Sequence, residues 1–518
     1  MNPNSNNNTE IAVVTDKSFD VALSATRKLV NFVKPTYGPS GNKILVSKIL
    51  YTMIVDDGVT GAREFEVDSS EPNYKEENAV LRIIREVAGR TSDRAGDGTT
   101  SSIIMLGAIM EEIAKKKNID TAKVAEELQK GCAEVREALK ASARPIETKE
   151  DLKKVARISF DNEQVAEMIA DLYIKLGKEA VVTVEKSQTM DITSKVSEGI
   201  TFSRGYISPY MMNNDRGECE LDNPLILLTD YRITEVSDIF PIMSKLAEAD
   251  KRKLVIIAEN VESHALSTLV VNKLQGKFES VAICTPQSSN RTVTLEDMAM
   301  LLGAKVFSMN KGDKLEKATI DDLGKCDRIT VKRNETIIVG PKGDKVTIAT
   351  AITSLRATLD AEKDEYQKKD LEKRLAMFTQ SIAVIKVGAV TENEQKALKM
   401  KIENAVKSTQ SAFRGGVVCG SGLALARVKT SSPLLNKALT YQAKQLRENV
   451  GLDDETFLLP DNQALNVVTG ATGDFMEVGV ADPVDVLITG VESAVSIASL
   501  LVTMKRMVVE DQKKPPIQ

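Results

Sequence analysis

Apolar residues recur at intervals of three and four along the chain as far as Pro145, the period of an amphipathic helix. Phe19, Leu23, Leu29, Val30 and Val33 pattern one such helix, and Ile103, Leu106, Met110 and Ile113 a second. A third lies in the heavily charged segment 118–149, with Val124, Leu128, Val135 and Leu139 on its apolar side. Pro145 then marks a boundary. Beyond it, short β-type runs appear at 180–184, 225–228, 254–257 and 281–284, several of them separated by helical segments. That alternation predicts an α/β domain. Residues 329–331 and 336–339 flank a turn and predict a hairpin. From 352 to 378 a charged helical pattern returns, with Leu355, Leu359, Leu371 and Leu375 as its apolar side. Read in order, the chain is helical, then α/β, then helical, and it carries no internal repeat.

Length and composition narrow the class. A chain of 518 residues is too long for one hydrophobic core, so about two to four domains are expected. With 42% hydrophobic and 28% charged residues, the composition is that of a soluble globular protein. A net charge of −5, without a dense Lys/Arg run and interleaved aromatics, gives no support for a nucleic-acid partner. The cysteines Cys132, Cys219, Cys284, Cys326 and Cys419 lie far apart with no CxxC pair. Reduced thiols in the cytoplasm fit that spacing better than a disulfide framework or a zinc site. The opening Met1-Asn2-Pro3-Asn4-Ser5-Asn6-Asn7-Asn8 is polar and lacks the apolar core of a signal peptide. No uninterrupted apolar stretch approaches the length needed to span a bilayer, so a soluble protein with no membrane partner is expected.

The single histidine, His264, is too little for a histidine metal cluster, and any Ser-His-Asp or Cys-His arrangement would rest on it alone. Its setting, Glu262-Ser263-His264-Ala265-Leu266, reads as an exposed helix start with no catalytic part. Chemistry must then come from carboxylates, hydroxyls, backbone groups and a bound cation, which suits phosphoryl transfer to water. The run Ala95-Gly96-Asp97-Gly98-Thr99-Thr100-Ser101 has that character. Glycine allows a tight positive-φ turn, the following helix offers N–H groups to an anion, and Asp97 is an oxygen ligand for Mg²⁺. Taken alone, the run reads more readily as a glycine turn followed by an Asp/Thr helix cap.

Other segments join it. Thr36-Tyr37-Gly38-Pro39-Ser40-Gly41 and Asp56-Asp57-Gly58-Val59 are two more turns of this kind. Toward the other end lie Gly415-Gly416-Val417-Val418-Cys419-Gly420-Ser421-Gly422 and Gly479-Val480-Ala481-Asp482-Pro483. In this order and at these distances the set resembles the group I chaperonins, the GroEL family. The resemblance runs from about 22 to 509 and takes in Phe202-Ser203-Arg204-Gly205-Tyr206-Ile207-Ser208-Pro209-Tyr210. It also includes Leu315-Glu316-Lys317-Ala318-Thr319 and Asp321-Asp322-Leu323-Gly324.

The resemblance implies a multi-domain α and α/β chaperonin fold. A helical equatorial ATP-binding domain would comprise 1–143 and 415–518, a small intermediate domain 144–197 and 383–414, and an α/β apical domain 198–382. It implies ATP and Mg²⁺, with Asp97 as the metal ligand and Gly98, Thr99, Thr100 and Ser101 cradling phosphates. Thr36, Tyr37, Gly38 and Pro39 would contact phosphates or an accompanying K⁺, and Asp57 would lie near the γ-phosphate. Ser421, Gly422, Asn466, Val467 and Val468 would pack beside base or ribose, and Asp482 would accept from ribose hydroxyls. Tyr206, Tyr210, Met211, Ile239, Phe240, Met243, Leu266, Leu269, Val270 and Val271 would hold non-native polypeptides, though Leu269 also reads as core. A lid-like co-chaperonin would use the same patch. The implied assembly is a homo-oligomeric ring, with seven subunits by family resemblance.

Departures from the family pattern mark a divergent member, and a large virus is one source that fits them. Asn404 stands where the family usually has an aspartate that orients the attacking water. An amide holds a water but does not take its proton, so slow hydrolysis is expected. At the upper hinge Gly199 is kept, while Gln380-Ser381 replace the usual glycine of the second crossing and predict a stiffer hinge. The stretch 427–446 and the region after Asp453 are shorter than usual, and the glycine-methionine tail is absent. The function expected is an ATP-driven folding chaperone. The alternative is an ATP-binding holdase or assembly scaffold with little hydrolysis. Neither GxGxxG nor GxxxxGK[ST] occurs at a strand–helix junction, which argues against a dehydrogenase or small-molecule kinase.

Overall fold

The computed structural model describes residues 10–14, 18–39, 41–48, 52–55, 58–95, 98–116, 119–214, 216–286, 290–362, 364–452 and 459–511. The expectations for 1–8, Asp56, Asp57, Gly96 and Asp97 lie outside these residues. The chain forms two compact units. One comprises Met1–Glu179, Lys186–Ile192 and Val387–Gln518, the other Ala180–Glu185 and Thr193–Lys386.

The first unit is helical, and its two halves come from either side of the second in sequence. Its leading half carries α1 (Ser18–Val33), α2 (Gly58–Glu64), α3 (Tyr74–Ala95), α4 (Thr99–Ala114), α5 (Thr121–Ala141), α6 (Lys149–Ser159) and α7 (Glu163–Leu176). Asp120, Thr148 and Asn162 cap α5, α6 and α7, each accepting from an N–H three residues on. Pro145 falls between α5 and α6, inside this unit.

The second unit is α/β. Its sheet runs Glu279–Cys284, Lys253–Ala258, Leu225–Thr229, Gly324–Val331, Thr336–Pro341, Thr193–Phe202, Ser381–Val387, Val181–Lys186. The first three strands are parallel, with Val281 opposite Val255 and Leu225 opposite Leu254. Leu225–Thr229 is buried on both faces, hence its unbroken apolar run. The expected hairpin pairs Val331 with Thr336. The helices are α8 (Val236–Glu248), α9 (Ser263–Leu274), α10 (Arg291–Leu302), α11 (Lys345–Ala361) and α12 (Glu365–Thr379). The charged pattern at 352–378 is therefore two helices. Asp364 separates them, since its side chain caps α12 by accepting from the Tyr366 and Gln367 N–H groups.

Returning to the first unit, the chain adds α13 (Glu392–Gly415), α14 (Leu423–Arg427), α15 (Pro433–Ala438), α16 (Tyr441–Val450) and α17 (Val484–Thr503). Strand Met507–Asp511 then pairs antiparallel with Glu10–Val14, Glu10 opposite Asp511. The core lies where α17 meets α3, α4 and α5. The stripe read on α4 belongs to a helix buried almost all round: Ile104, Met105 and Ile109 are as enclosed as Ile103, Leu106, Met110 and Ile113. Each such side chain contributes about 1.5–3 kcal/mol on burial.

The longest apolar helix, α17, is interrupted by Asp485 and Glu492. By length and composition α17 could cross a membrane, but it is mostly buried as a core helix. The thiols are core groups as well. Cys132, Cys219, Cys326 and Cys419 are buried and Cys284 half-buried. Burial pushes Cys132 and Cys219 up to about 11 and Cys326 to about 12, which keeps them protonated and unreactive.

Candidate nucleotide site and apolar face

Gly98 adopts φ 84° as the N-cap of α4 and, being glycine, has no side chain of its own to cap the helix. The first-turn N–H groups of a helix have no intrahelical acceptor, so this start presents donors and positive dipole to an anion. The Thr99 hydroxyl, on a residue 4% exposed, is buried without a hydrogen-bond partner among the described residues. Ser102 closes the turn by donating to the Thr99 carbonyl at 2.8 Å. Leaving a buried hydroxyl unmet costs about 1–3 kcal/mol, which a phosphate oxygen or cation at this point would offset.

Several candidate segments converge on this helix start. Gly58 follows Asp57 directly, and a Cβ on it would lie 2.0 Å from the Thr100 Oγ1. A Cβ on Gly98 would lie 2.9 Å from Val486, near the start of α17 and four residues beyond Asp482. The Gln442 amide donates to the Ser101 carbonyl at 3.1 Å. Farther along α16, Ala443 leaves no room for a side chain at Gly422, whose Cβ would come 2.7 Å from the Ala443 nitrogen. Leu446 likewise fills the space beside Gly38, which has φ 90°. The Asn449 amide donates to the Lys34 and Tyr37 carbonyls at 2.9 and 2.8 Å. Thr36 is buried, its hydroxyl donating to the Val33 carbonyl, while Gly38 and Pro39 are exposed.

The remaining segments join through short strands. Val418 pairs with Asp482, which links Ser421 and Gly422 to the half-buried carboxylate. Ser421 itself has a positive φ of 57°. The Cys419 thiol donates to the Gln463 carbonyl, and the Arg427 guanidinium reaches the Leu459, Pro460 and Gln463 carbonyls at 3.0 Å each. These bonds hold the hairpin of Gln463–Leu465 and Thr472–Asp474 that bears Asn466, Val467 and Val468. Asn466 spends its side chain inside the turn, accepting from the Val468 and Thr469 N–H groups and donating to the Val478 carbonyl. Val468 is exposed. At the hairpin base, two bonds from the Arg144 guanidinium hold the Asp474 carboxyl below its usual range.

Asn404 stands apart. It is half-buried on α13, and no hydrogen bond joins it to another described candidate. It lies about 16 Å along the helix from Gly415, which abuts Asp485. Among the described residues no group of three His, Cys, Asp or Glu side chains could hold a metal ion, and Asp57 and Asp97 are not among them.

The sequence model of the TCP-1/cpn60 chaperonin family matches residues 29–512. The chain belongs to that chaperonin family. Two similar solved structures are of the chaperonin gp146 from the bacteriophage EL 2 (Pseudomonas aeruginosa), both in the presence of ATP-BeFx. Crystal form II shares 20% identity over 96% of this chain and 99% of the phage chain, with a TM-score of 0.66. Crystal form I has the same identity over 97% and 99%, with a TM-score of 0.61. The likeness fixes the fold as that of a chaperonin.

In the α/β unit of this chaperonin, the expected polypeptide-binding residues divide by burial. Phe240, Tyr210 and Val271 are exposed, and Tyr206, Leu266 and Val270 half-buried. Met211 and Met243 are corrected to core: they are 0% and 7% exposed, as are Ile239 and Leu269 at 0%. The Met211 sulfur accepts from the Ala282 N–H inside the fold. Leu274, 69% exposed on α9, is an apolar surface residue that the sequence reading missed. It lies three residues beyond Val271, one helical turn along the same face. His264 is exposed at the start of α9, as expected.

At the second crossing, Gln380 forms a strap. Its side-chain oxygen accepts from the Thr201 N–H at 3.0 Å, its amide donates to the Thr201 hydroxyl at 2.7 Å, and its carbonyl accepts from Gly199 at 3.2 Å.

Proposed function

We propose that this chaperonin is an ATP-dependent molecular chaperone. In this reading a homo-oligomeric ring in the cytoplasm captures non-native polypeptides and uses ATP hydrolysis to release and fold them. The observation that carries the nucleotide is the buried Thr99 hydroxyl, unmet among the described residues, at the start of α4 behind the left-handed Gly98. The presence of ATP-BeFx with the similar phage chaperonin supports the same ligand class.

Gly98 to Ser101 would hold phosphate oxygens, and Thr36 to Pro39 the phosphates or a K⁺ beside them. Asp97 would ligate Mg²⁺, which when bound neutralises charge on the transferring phosphoryl group. Asp482, Ser421, Gly422 and the 466–468 turn would enclose ribose and base. Asp57 and Asn404 would flank the attacking water. Phe240, Val271, Leu274 and Tyr210 suit capture, because apolar contact is non-directional and tolerates many partners. The three-domain division and the seven-subunit ring belong to the same reading, with Gln380 stiffening the upper hinge.

A second reading, an ATP-binding holdase or scaffold, draws on Asn404 alone. A positioned general base contributes roughly 10²–10⁴-fold, and an amide cannot serve as one. Steady-state ATP hydrolysis by the purified protein separates the two. Mg²⁺-dependent turnover that disappears in Asp97→Ala, and that rises about tenfold or more in Asn404→Asp, is expected. Tight ATP binding without turnover would replace the cycling chaperone by the holdase. No gain in Asn404→Asp would remove the water-orienting role from this position.

A further inference from the structure

We propose that Asn449 on α16 is a positioning residue of the nucleotide site, a role that rests on the ATP-binding reading above. Its side chain spans from the helix to the backbone of the 34–39 turn, where one amide nitrogen serves two carbonyls, Lys34 at 2.9 Å and Tyr37 at 2.8 Å. The orientation of that amide is fixed from behind. The Gln445 amide donates to the Asn449 Oδ1 at 3.0 Å, one turn earlier on the same helix. A flipped Asn449 would set its oxygen against two carbonyl oxygens and lose the Gln445 bond as well. Gln445, Asn449 and the turn therefore form a directional relay in which each amide aims the next.

The geometry gives the relay a purpose beyond holding the turn closed. Both carbonyls are engaged by α16, while the adjoining Gly38 and Pro39 are exposed. Carbonyl oxygens facing a triphosphate would repel it, whereas the turn as built withholds two of them. Leu446 confines Gly38 from the same helix, and Gln442 bonds the Ser101 carbonyl beside the start of α4. One face of α16 thus fixes two turns that would have to meet the same phosphate chain. Loss of Asn449 should fall mainly on ground-state nucleotide binding, because the turn does not carry the groups that flank the attacking water.

The test compares wild-type protein with Asn449→Leu, Asn449→Asp and Gln445→Leu, with ATP and Mg²⁺ as the probe. ATP affinity is measured by calorimetry, kcat and KM by steady-state hydrolysis, and folding by thermal melting. Asn449→Leu should weaken ATP binding about tenfold, raising KM by more than it lowers kcat. Asn449→Asp, which places a carboxylate against the two carbonyls, should weaken it further, and Gln445→Leu less. If Asn449→Leu fails to fold, a rise in KM for Gln445→Leu still carries the proposal, and its absence overturns it. Wild-type affinity in folded Asn449 variants, even with a lowered melting temperature, would make the role merely structural. A wild-type protein that binds no ATP would instead overturn the nucleotide reading, and the positioning role with it.

Discussion

Gly58→Ala is expected to lower ATP turnover about a hundredfold or more while the protein keeps its secondary structure. The added methyl would sit 2.0 Å from the Thr100 Oγ1, 2.8 Å from its Cβ and 3.0 Å from its Cα. Rotating the Thr100 side chain relieves only the first of these contacts. Its Cβ and Cα belong to the first turn of α4, which is anchored in the core by Ile103, Ile104 and Leu106. The start of α2 must therefore retreat, and in the proposed reading the residue before it in sequence, Asp57, is one whose position matters to hydrolysis. A shift of about 1 Å in a reacting group can cost 10²-fold, because catalysis of phosphoryl transfer is largely positioning. Turnover and ATP affinity measured on the same variant check this. Wild-type turnover would show that the turn before α2 plays no part in the chemistry.

Arg374→Met is expected to destabilise the α/β unit by about 3–5 kcal/mol. Arg374 on α12 holds Asp297 on α10 through paired bonds of 2.7 and 3.0 Å, and the Asp297 side chain is 0% exposed. The pair raises the guanidinium pKa, chiefly through the hydrogen bond. Removing the arginine leaves a carboxylate enclosed without its counter-charge, which costs far more than the net worth of the intact pair. Replacing both, as Asp297→Leu with Arg374→Met, should recover most of the loss. A two-unit chain has no single unfolding free energy, so the suitable measure is hydrogen exchange of peptides spanning α10 and α12. Unchanged protection in the single variant would mean that water reaches Asp297 and that the pair is dispensable.

Local patterns were readable where one element determined its own structure. The helical spacing at 124–139 became α5, and the β-type runs at 225–228, 254–257 and 281–284 became three neighbouring parallel strands. Burial on α8 was misread, because Ile239 and Met243 were grouped with Phe240 as one binding face although their spacing separates them. Ile239, Ile242, Met243 and Leu246 form one stripe at helical spacing, and Phe240 falls off it, which distinguishes core from surface without a structure. On α9, Ala265 and Leu269 mark the buried side in the same way.

What could not be read were roles assigned by distant chain. Nothing in the 441–450 sequence announces that Asn449 serves carbonyls 415 and 412 positions earlier. Arg427 is similar, since its acceptors are plain backbone oxygens that leave no motif. Asn466 matched the family pattern, yet its side chain is spent on the N–H groups of its own turn and on the Val478 carbonyl. The apolar length of α17 was hidden by Asp485 and Glu492, which interrupt the run while leaving its mean hydropathy high.

The placement of α17 also sets a schedule for synthesis. The ribosome finishes the α/β unit before any of the closing helices exist, so that unit has all its strands while the chain is still being extended. The helical unit is different. Its leading half emerges first but must wait several hundred residues for α17 to cover α4 and α5, and longer for Met507–Asp511 to reach Glu10–Val14. At about 5–20 residues per second that interval is on the order of tens of seconds. Through it, the flank of α4 that α17 will bury stays open to solvent and to neighbouring nascent chains. The newborn chain is thus most prone to aggregate in the leading half of its helical unit, and α17, the latest of the described helices to be translated, ends the exposure.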